Sequence, residues 1–298
     1  MSTGETKEPT TATTTLDMDG GERHDELSLF TLRLVSHHKR VSLLRRILSF
    51  HKIRNPKHYI GLRSSSKLFH RALPQPPPLW TSFPCSNHAT LQSLVNRLEE
   101  LRGDEESSGN VPSVLFIEEG EHDGAEGGYV EVKKPLSMYG AGCGKTTLVG
   151  VGLKINGNKS DGIVEIEDLT IKGGESYGLW AAYGMNVILR GFMVVECGNG
   201  VYAAGADITC NDLQVVGCGG SGVYADENAT VTLSGQGTNI QRNGTKERWN
   251  DYGLYSSSTS KILLVAPLTK EQISTDNGGG GNWTGDKSYH GIIEQVSK

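Results

Sequence analysis

From Leu27 to Leu98 the chain holds no Asp or Glu beside twelve Lys and Arg. That stretch cannot neutralise itself, so it reads as a basic amphipathic segment distinct from the rest of the chain. Glycine is scarce there too: 4 of the 39 glycines lie in the first 100 residues. No run of 18 apolar residues occurs, so no transmembrane segment is expected. Residues 1–26 are polar and Thr-rich, without the apolar core of a secretory signal, and are expected to be disordered. The five cysteines (Cys85, Cys143, Cys197, Cys210 and Cys218) include no CxxC pair, so no metal and no cofactor is expected. Without a secretory signal these thiols are expected to be reduced and the protein cytoplasmic or nuclear. By the same reasoning the N-x-S/T triplets at Asn158, Asn228, Asn243 and Asn282 are not expected to carry glycans.

The remaining 35 glycines mark a repeat. Gly178-Leu179-Trp180-Ala181 returns 22 residues later as Gly200-Val201-Tyr202-Ala203, and again as Gly222-Val223-Tyr224-Ala225. A fourth copy, Gly253-Leu254-Tyr255-Ser256, follows after 31 residues. A fixed period of this size means stacked supersecondary units. The phrase alternates with period two, as a strand does. Each repeat carries two more short apolar pieces, one holding Ile166, Leu189, Cys210 and Leu233, the other Ile171, Val194, Val215 and Ile240. Three short strands per 22 residues can keep one register only by stacking coil on coil in parallel, about 4.8 Å apart. Thr245 to Asp251 accounts for the longer step as an insertion looping out of the stack.

This pattern resembles the right-handed parallel β-helix family, the pectin-lyase-like superfamily, over roughly residues 111–280. The resemblance implies an all-β fold, a right-handed single-stranded parallel β-helix. Ala89–Leu101 places Leu91, Leu94, Val95, Leu98 and Leu101 on one helical face. That face suits a cap over the first coil, with residues 84–110 forming linker and cap. Residues 281–298, after Gly278-Gly279-Gly280-Gly281, are expected to leave the stack as an irregular tail.

Stacked coils place Trp180, Tyr202, Tyr224 and Tyr255 in one outward column, the candidate ligand or partner surface. Such a row can contact a protein or a glycan, or simply stack on itself. Cys197 and Cys218, with Asn243 in the next coil, read as an internal ladder at a turn. No catalytic residues are assigned. Polygalacturonases of this fold family show an Asp-Asp pair and a Gly-His-Gly turn, and pectin esterases carry Gln-Asp-Thr and Leu-Gly-Arg-Pro-Trp; all are missing here. Gly142-Cys143-Gly144-Lys145-Thr146-Thr147 imitates a phosphate-binding loop, but Tyr139 stands where its first glycine belongs, and glycines and β-branched residues follow where a helix is needed. No nucleotide is expected.

Within the basic segment, Leu43, Leu44, Ile47 and Leu48 share one helical face; a turn follows at Asn55-Pro56, then a second helical stretch, Tyr59 to Leu73, then Leu79-Trp80. This small helical segment, residues 27–83, resembles an F-box. The resemblance implies docking of Leu43, Leu44, Ile47 and Leu48 on the Skp-type adaptor of a cullin-RING ubiquitin ligase, with the β-helix recruiting the substrate. The function expected is therefore a non-enzymatic recognition scaffold with a protein partner. The alternative is a carbohydrate-binding or carbohydrate-active protein.

Overall fold

A computed structural model describes residues 80–103, 111–125, 127–246, 248, 250–257, 259–285 and 290–297. The tail 1–26 and the basic segment 27–79, including Leu43, Leu44, Ile47 and Leu48, lie outside the described residues.

The described residues form a parallel β-helix. Its strands make three parallel sheets of nine, seven and seven strands, here sheets I, II and III. Each turn of the chain visits them in that order, as in Ile163–Glu167, Thr170–Lys172 and Tyr177–Ala182. The register is the one the repeat demands. Ile166, Leu189, Cys210 and Leu233 are successive partners in sheet I, and Ile171, Val194, Val215 and Ile240 in sheet II. All eight are fully buried. In sheet III one inward column runs Val130, Leu153, Leu179, Val201, Val223, Leu254 and Trp283. Each coil alone exposes its apolar stripe; only the next coil buries it.

The corners explain the turn chemistry. Where sheet I gives way to sheet II, one residue per coil takes a left-handed backbone: Asp168 (φ 56°), Gly191 (49°), Asp212 (56°) and Gly235 (89°). Between sheets II and III the column is Gly150, Gly173, Glu196, Gly217, Arg242 and Asp276, and between sheets III and I it is Tyr183, Gly205 and Glu227. Such a residue turns the chain while its N–H still bonds the next coil, as in Asp168 N to Arg190 O (2.9 Å) and Gly173 N to Val195 O (3.0 Å); Gly184 and Asn228 add a second one at the corner between sheets III and I. Side chains other than glycine carry a steric cost there of about 1–2 kcal/mol, least for Asp and Asn.

The glycine that opens each copy of the repeated phrase serves a different purpose. A Cβ at Gly178 would lie 2.2 Å from Val194 Cγ1, and one at Gly200 would lie 2.1 Å from Gly222 O and 2.3 Å from Val215 Cγ1. The sheet II aliphatics and the next coil's carbonyl already fill that space.

The helix Leu91–Gly103 caps the first coil as expected, burying Leu91, Leu94, Val95 and Leu98. It also closes the edge of sheet III. The Gln92 carboxamide donates to Glu131 O (3.2 Å) and accepts from Glu131 N, standing in for a missing strand. Glu99 accepts from Lys133 N, and Arg102 donates to Pro135 O.

Two expected boundaries are corrected. Trp80–Phe83, assigned to the end of the F-box-like segment, is a strand paired with Val114–Ile117 at the edge of sheet I. Phe83 is buried in the core there, so the β-helix begins before residue 111. Residues 281–298 do not leave the stack wholesale. Gly281–Trp283 pairs with Tyr252 and Leu254, and Ile292–Val296 pairs with Lys261–Val265. The glycine run is a tight corner: a Cβ at Gly280 would sit 2.4 Å from the Tyr252 ring. Ile293 then continues the inward column after Ile262.

Gly200→Ala tests the packing argument. It should destabilise the protein by about 1–3 kcal/mol in denaturant unfolding, whereas Gly127→Ala, with open space around it, should change little.

Candidate functional site

The outward column of sheet III is assembled as the repeat implied: Trp180, Tyr202, Tyr224 and Tyr255 are consecutive register partners. Their ring centroids are 6.3, 4.8 and 4.5 Å apart. Tyr177, Tyr252 and Tyr129, at the start of their sheet III strands, join the column from the side. Tyr177 stacks on Tyr202 at 5.0 Å and 17°, and Tyr252 on Tyr255 at 5.5 Å and 5°. Tyr129 meets Trp180 edge-on, and His290 meets Tyr252 and Tyr255 the same way. Sequence spacing showed four members of an array of eight. The other four stand outside the repeated phrase and reach the column only through side-chain direction.

Coil spacing brings neighbouring rings into contact along the column, tilted by 30°, 39° and 57° in turn. All four of the expected column residues are half-buried. The hydroxyls are tied down as well: Tyr202 and Tyr224 both donate to Asp226 Oδ2 (3.4 and 3.1 Å), and Ser257 donates to Asp226 Oδ1. Burial, together with the nearby Asp226 charge, pushes both phenols well above the ordinary tyrosine range. Asp226 replaces Ala204 of the preceding coil at the same register position. The alanines Ala182 and Ala204, which share that outward register with Asp226, are 2% and 3% exposed. At the other end Lys154 places its amine 5.0 Å from the Trp180 ring centroid. Lys154 and Lys133 both pair with Glu131 (3.1 and 2.9 Å), and the Lys133 hydrogen bond is the chief reason the Glu131 carboxyl sits below its ordinary range.

Beside the column, at the corner between sheets II and III, lies a cleft of about 230 Å³. Its walls include Glu175, Tyr177, Asn199, Lys246, Arg248 and Asp251. Asp251 is 8% exposed, and its Oδ2 has no hydrogen-bond partner among the described residues. Burial pushes its carboxyl above the ordinary range, against the pull of Arg248 and Lys246. No sequence pattern announced this residue, because it belongs to the insertion rather than to the repeat.

The remaining expectations resolve into structure. Cys197, Cys218 and Asn243 do form an internal ladder, which Asn277 extends. Each amide accepts a backbone N–H from the coil before it and donates to a carbonyl there. Asn243 accepts from Cys218 N (3.0 Å) and donates to Val215 O (3.1 Å); Asn277 accepts from Asn243 N (2.9 Å) and donates to Ile240 O (3.1 Å). Gly174 N reaches Cys197 Sγ in the same way at 3.3 Å. Burial pushes the Cys197 thiol up to about 11 and the Cys218 thiol up to about 12, so both stay protonated and unreactive near neutral pH. The loop resembling a phosphate site leads into the strand Thr146–Val149, not a helix. Thr146 is fully buried, accepting from Ala141 N (2.8 Å) and donating to Glu118 O (3.1 Å). On sheet I, Glu165 is held by the Tyr139 hydroxyl (2.9 Å) and by Arg190. Among the described residues no group of three or more His, Cys, Asp or Glu could hold a metal, and no helix is long and apolar enough to cross a membrane.

Comparison with protein-family models, with curated proteins and with solved structures finds no match for this chain.

Two substitutions test this surface. Asp226→Ala should release three hydroxyls and lower stability by about 1–3 kcal/mol, with a changed tyrosine signal in near-ultraviolet circular dichroism. Asp251→Asn should raise the melting temperature at pH 7. The native carboxyl prefers its proton more than the unfolded one does, so its stabilising share is full at acid pH and is lost as pH rises through the native pKa. Variant and parent should converge below pH 4, the ordinary range of an unfolded Asp (about 3.9); a pH series of thermal melts reads this directly.

Proposed function

We propose that this chain is a non-enzymatic recognition scaffold, a rigid β-helix that presents a protein-binding face along sheet III and its corner with sheet II. The observation that carries the reading is the aromatic array beside a charged cleft. The array fixes a hard, continuous surface, and the cleft is walled partly by an insertion that the coil period does not need. Ring edges and bonded hydroxyls suit a protein surface. A glycan platform needs open ring faces, whereas these rings are half-buried and packed against one another. The cytoplasmic or nuclear location of this reading rests on the sequence alone.

In this reading residues 27–79 act as the F-box-like docking segment and make the protein a substrate adaptor for a cullin-RING ubiquitin ligase. The face formed by Leu43, Leu44, Ile47 and Leu48 would contact the Skp-type adaptor. The resemblance that suggests an F-box and the pectin-lyase-like resemblance of the coils both rest on sequence pattern.

The test is capture of a purified Skp-type adaptor by the full chain and by a Leu43→Asp, Leu44→Asp variant. The parent should bind and the variant should lose at least tenfold in affinity. Failure of the parent to bind would overturn the ubiquitin-ligase reading. A deletion should end at residue 79, because removing 80–83 would strip a strand from sheet I.

A further inference from the structure

The aromatic array is a continuous chain of oxidisable rings. From Trp180 it runs through Tyr202 and Tyr224 to Tyr255, with centroids 6.3, 4.8 and 4.5 Å apart, the spacing of rings in direct contact. Tryptophan and tyrosine give up a single electron far more readily than aliphatic or amide side chains. The chain is also electrically asymmetric. The Lys154 amine, which pairs with Glu131 at 3.1 Å, stands 5.0 Å from the centroid of the Trp180 ring. Trp180 Nε1 is buried and has no hydrogen-bond partner among the described residues. An indole radical cation at Trp180 therefore faces a positive charge and has no base for its proton. In the next two coils a carboxylate stands beside the phenols instead. Asp226 Oδ2 accepts from Tyr224 at 3.1 Å and, more weakly, from Tyr202 at 3.4 Å. Asp226 Oδ1 is held by Ser257 and by Glu227 N (2.9 Å), which keeps Oδ2 turned to the two hydroxyls. Burial, with the Asp226 charge, keeps both phenols protonated near neutral pH, so each has a proton to give up with its electron. A cation at one end and an anion at the other favour movement of a positive hole from Trp180 toward Tyr224, the more so for half-buried groups.

We propose that the array is a relay that draws oxidising equivalents away from Trp180 and brings them to rest on Tyr224, with Asp226 as the proton acceptor. Its substrates are small one-electron oxidants, such as peroxyl radicals. The oxidant takes one electron from the Trp180 ring and leaves as its anion, which water protonates. Tyr202 then gives an electron to the indole and its phenolic proton to Asp226 Oδ2. Tyr224 gives an electron to Tyr202, and Asp226 returns a proton to Tyr202 as it accepts that of Tyr224. The products are restored Trp180 and Tyr202, a neutral tyrosyl radical at Tyr224 and a protonated Asp226. A soluble thiol closes the cycle: its thiolate supplies one electron and becomes a thiyl radical, and Asp226 returns the proton. Tyr224 is the resting point because its hydrogen bond to the carboxylate is the shorter of the two. The indole thereby escapes the addition of oxygen that makes tryptophan oxidation permanent. This activity needs no partner protein and is independent of the recognition-scaffold reading.

The experiment is flash photo-oxidation of the full chain by a ruthenium tris-bipyridine sensitiser with persulfate. Freeze-trapped electron paramagnetic resonance reads the radical, and peptide mass spectrometry reads oxygenated products at Trp180. Tyr183, 67% exposed and absent from the array's ring contacts, is the reference for oxidation governed by exposure alone. The tyrosyl signal of the parent should survive Tyr183→Phe and fall severalfold in Tyr202→Phe with Tyr224→Phe, which keeps both rings and removes both hydroxyls. Trp180 products should rise severalfold in that double variant. Asp226→Asn keeps a hydrogen-bond acceptor but removes the base, and it should raise the Trp180 products as well. A cooperative thermal melt above the working temperature shows that each variant is folded. A tyrosyl signal undiminished by the double substitution, or lost with Tyr183→Phe, overturns the relay. Trp180 products unchanged in the double variant overturn it too, and products unchanged by Asp226→Asn overturn Asp226 as the proton acceptor. The adaptor-capture experiment reports on the scaffold reading separately from all of these.

Discussion

The structure depends on parallel stacking at one strand spacing. Every coil makes its strand-ladder hydrogen bonds to the coils before and after it, so each residue position becomes a column down the molecule. A column magnifies whatever occupies it. Aliphatics make a continuous core, left-handed residues make a corner, and aromatics make an array. The same rule makes errors costly, because a side chain that does not fit collides with a neighbouring coil as well as with its own. The glycines of the repeated phrase are the clearest case, held by Val194, Val215 and Ile240 rather than by any unusual torsion angle.

Polar groups obey the column rule too. Inside the stack, a carboxamide placed at the corner can accept from one coil's N–H and donate to its carbonyl, which is what Asn243 and Asn277 do. The column shifts from Cys197 and Cys218 to asparagine where the coils begin to depart from the 22-residue period. Thiols fill space and accept weakly; amides define hydrogen bonds where packing alone is less repetitive. At the edge of sheet III, Gln92 applies the same chemistry from a helix, so the open end of the stack is closed by a side chain imitating a strand.

The stacking rule also separates scaffold from surface. The aromatic array follows from repetition, and its rings pack against one another. The corner cleft does not: Lys246, Arg248 and Asp251 come from the stretch that breaks the period. In a repetitive fold, the residues that depart from the repeat are where individual chemistry can be placed without disturbing the columns.

The 22-residue period determined the fold by itself. Period and alternation together require parallel coils, and from them follow the inward columns, the order of the strands, the aromatic register and the internal ladder at Cys197, Cys218 and Asn243. The cap helix was equally legible, because its apolar face has a helical spacing. Tertiary structure alone decided the rest. Trp80–Phe83 and Ile292–Val296 stand outside the repeat, so no period announces them; they pair at the two edges of sheet I. How the rings pack depends on side-chain tilt and on Tyr129 and His290, which no spacing links to the column, whereas Tyr177 and Tyr252 each stand three residues before a column aromatic. The burial of Asp251 depends on how the insertion folds back over the corner. Sequence encodes position along a column, and a one-dimensional pattern can show that much. It does not encode which residues from outside the repeat close over that column, because those contacts are made across coils by side chains with no fixed separation in the chain.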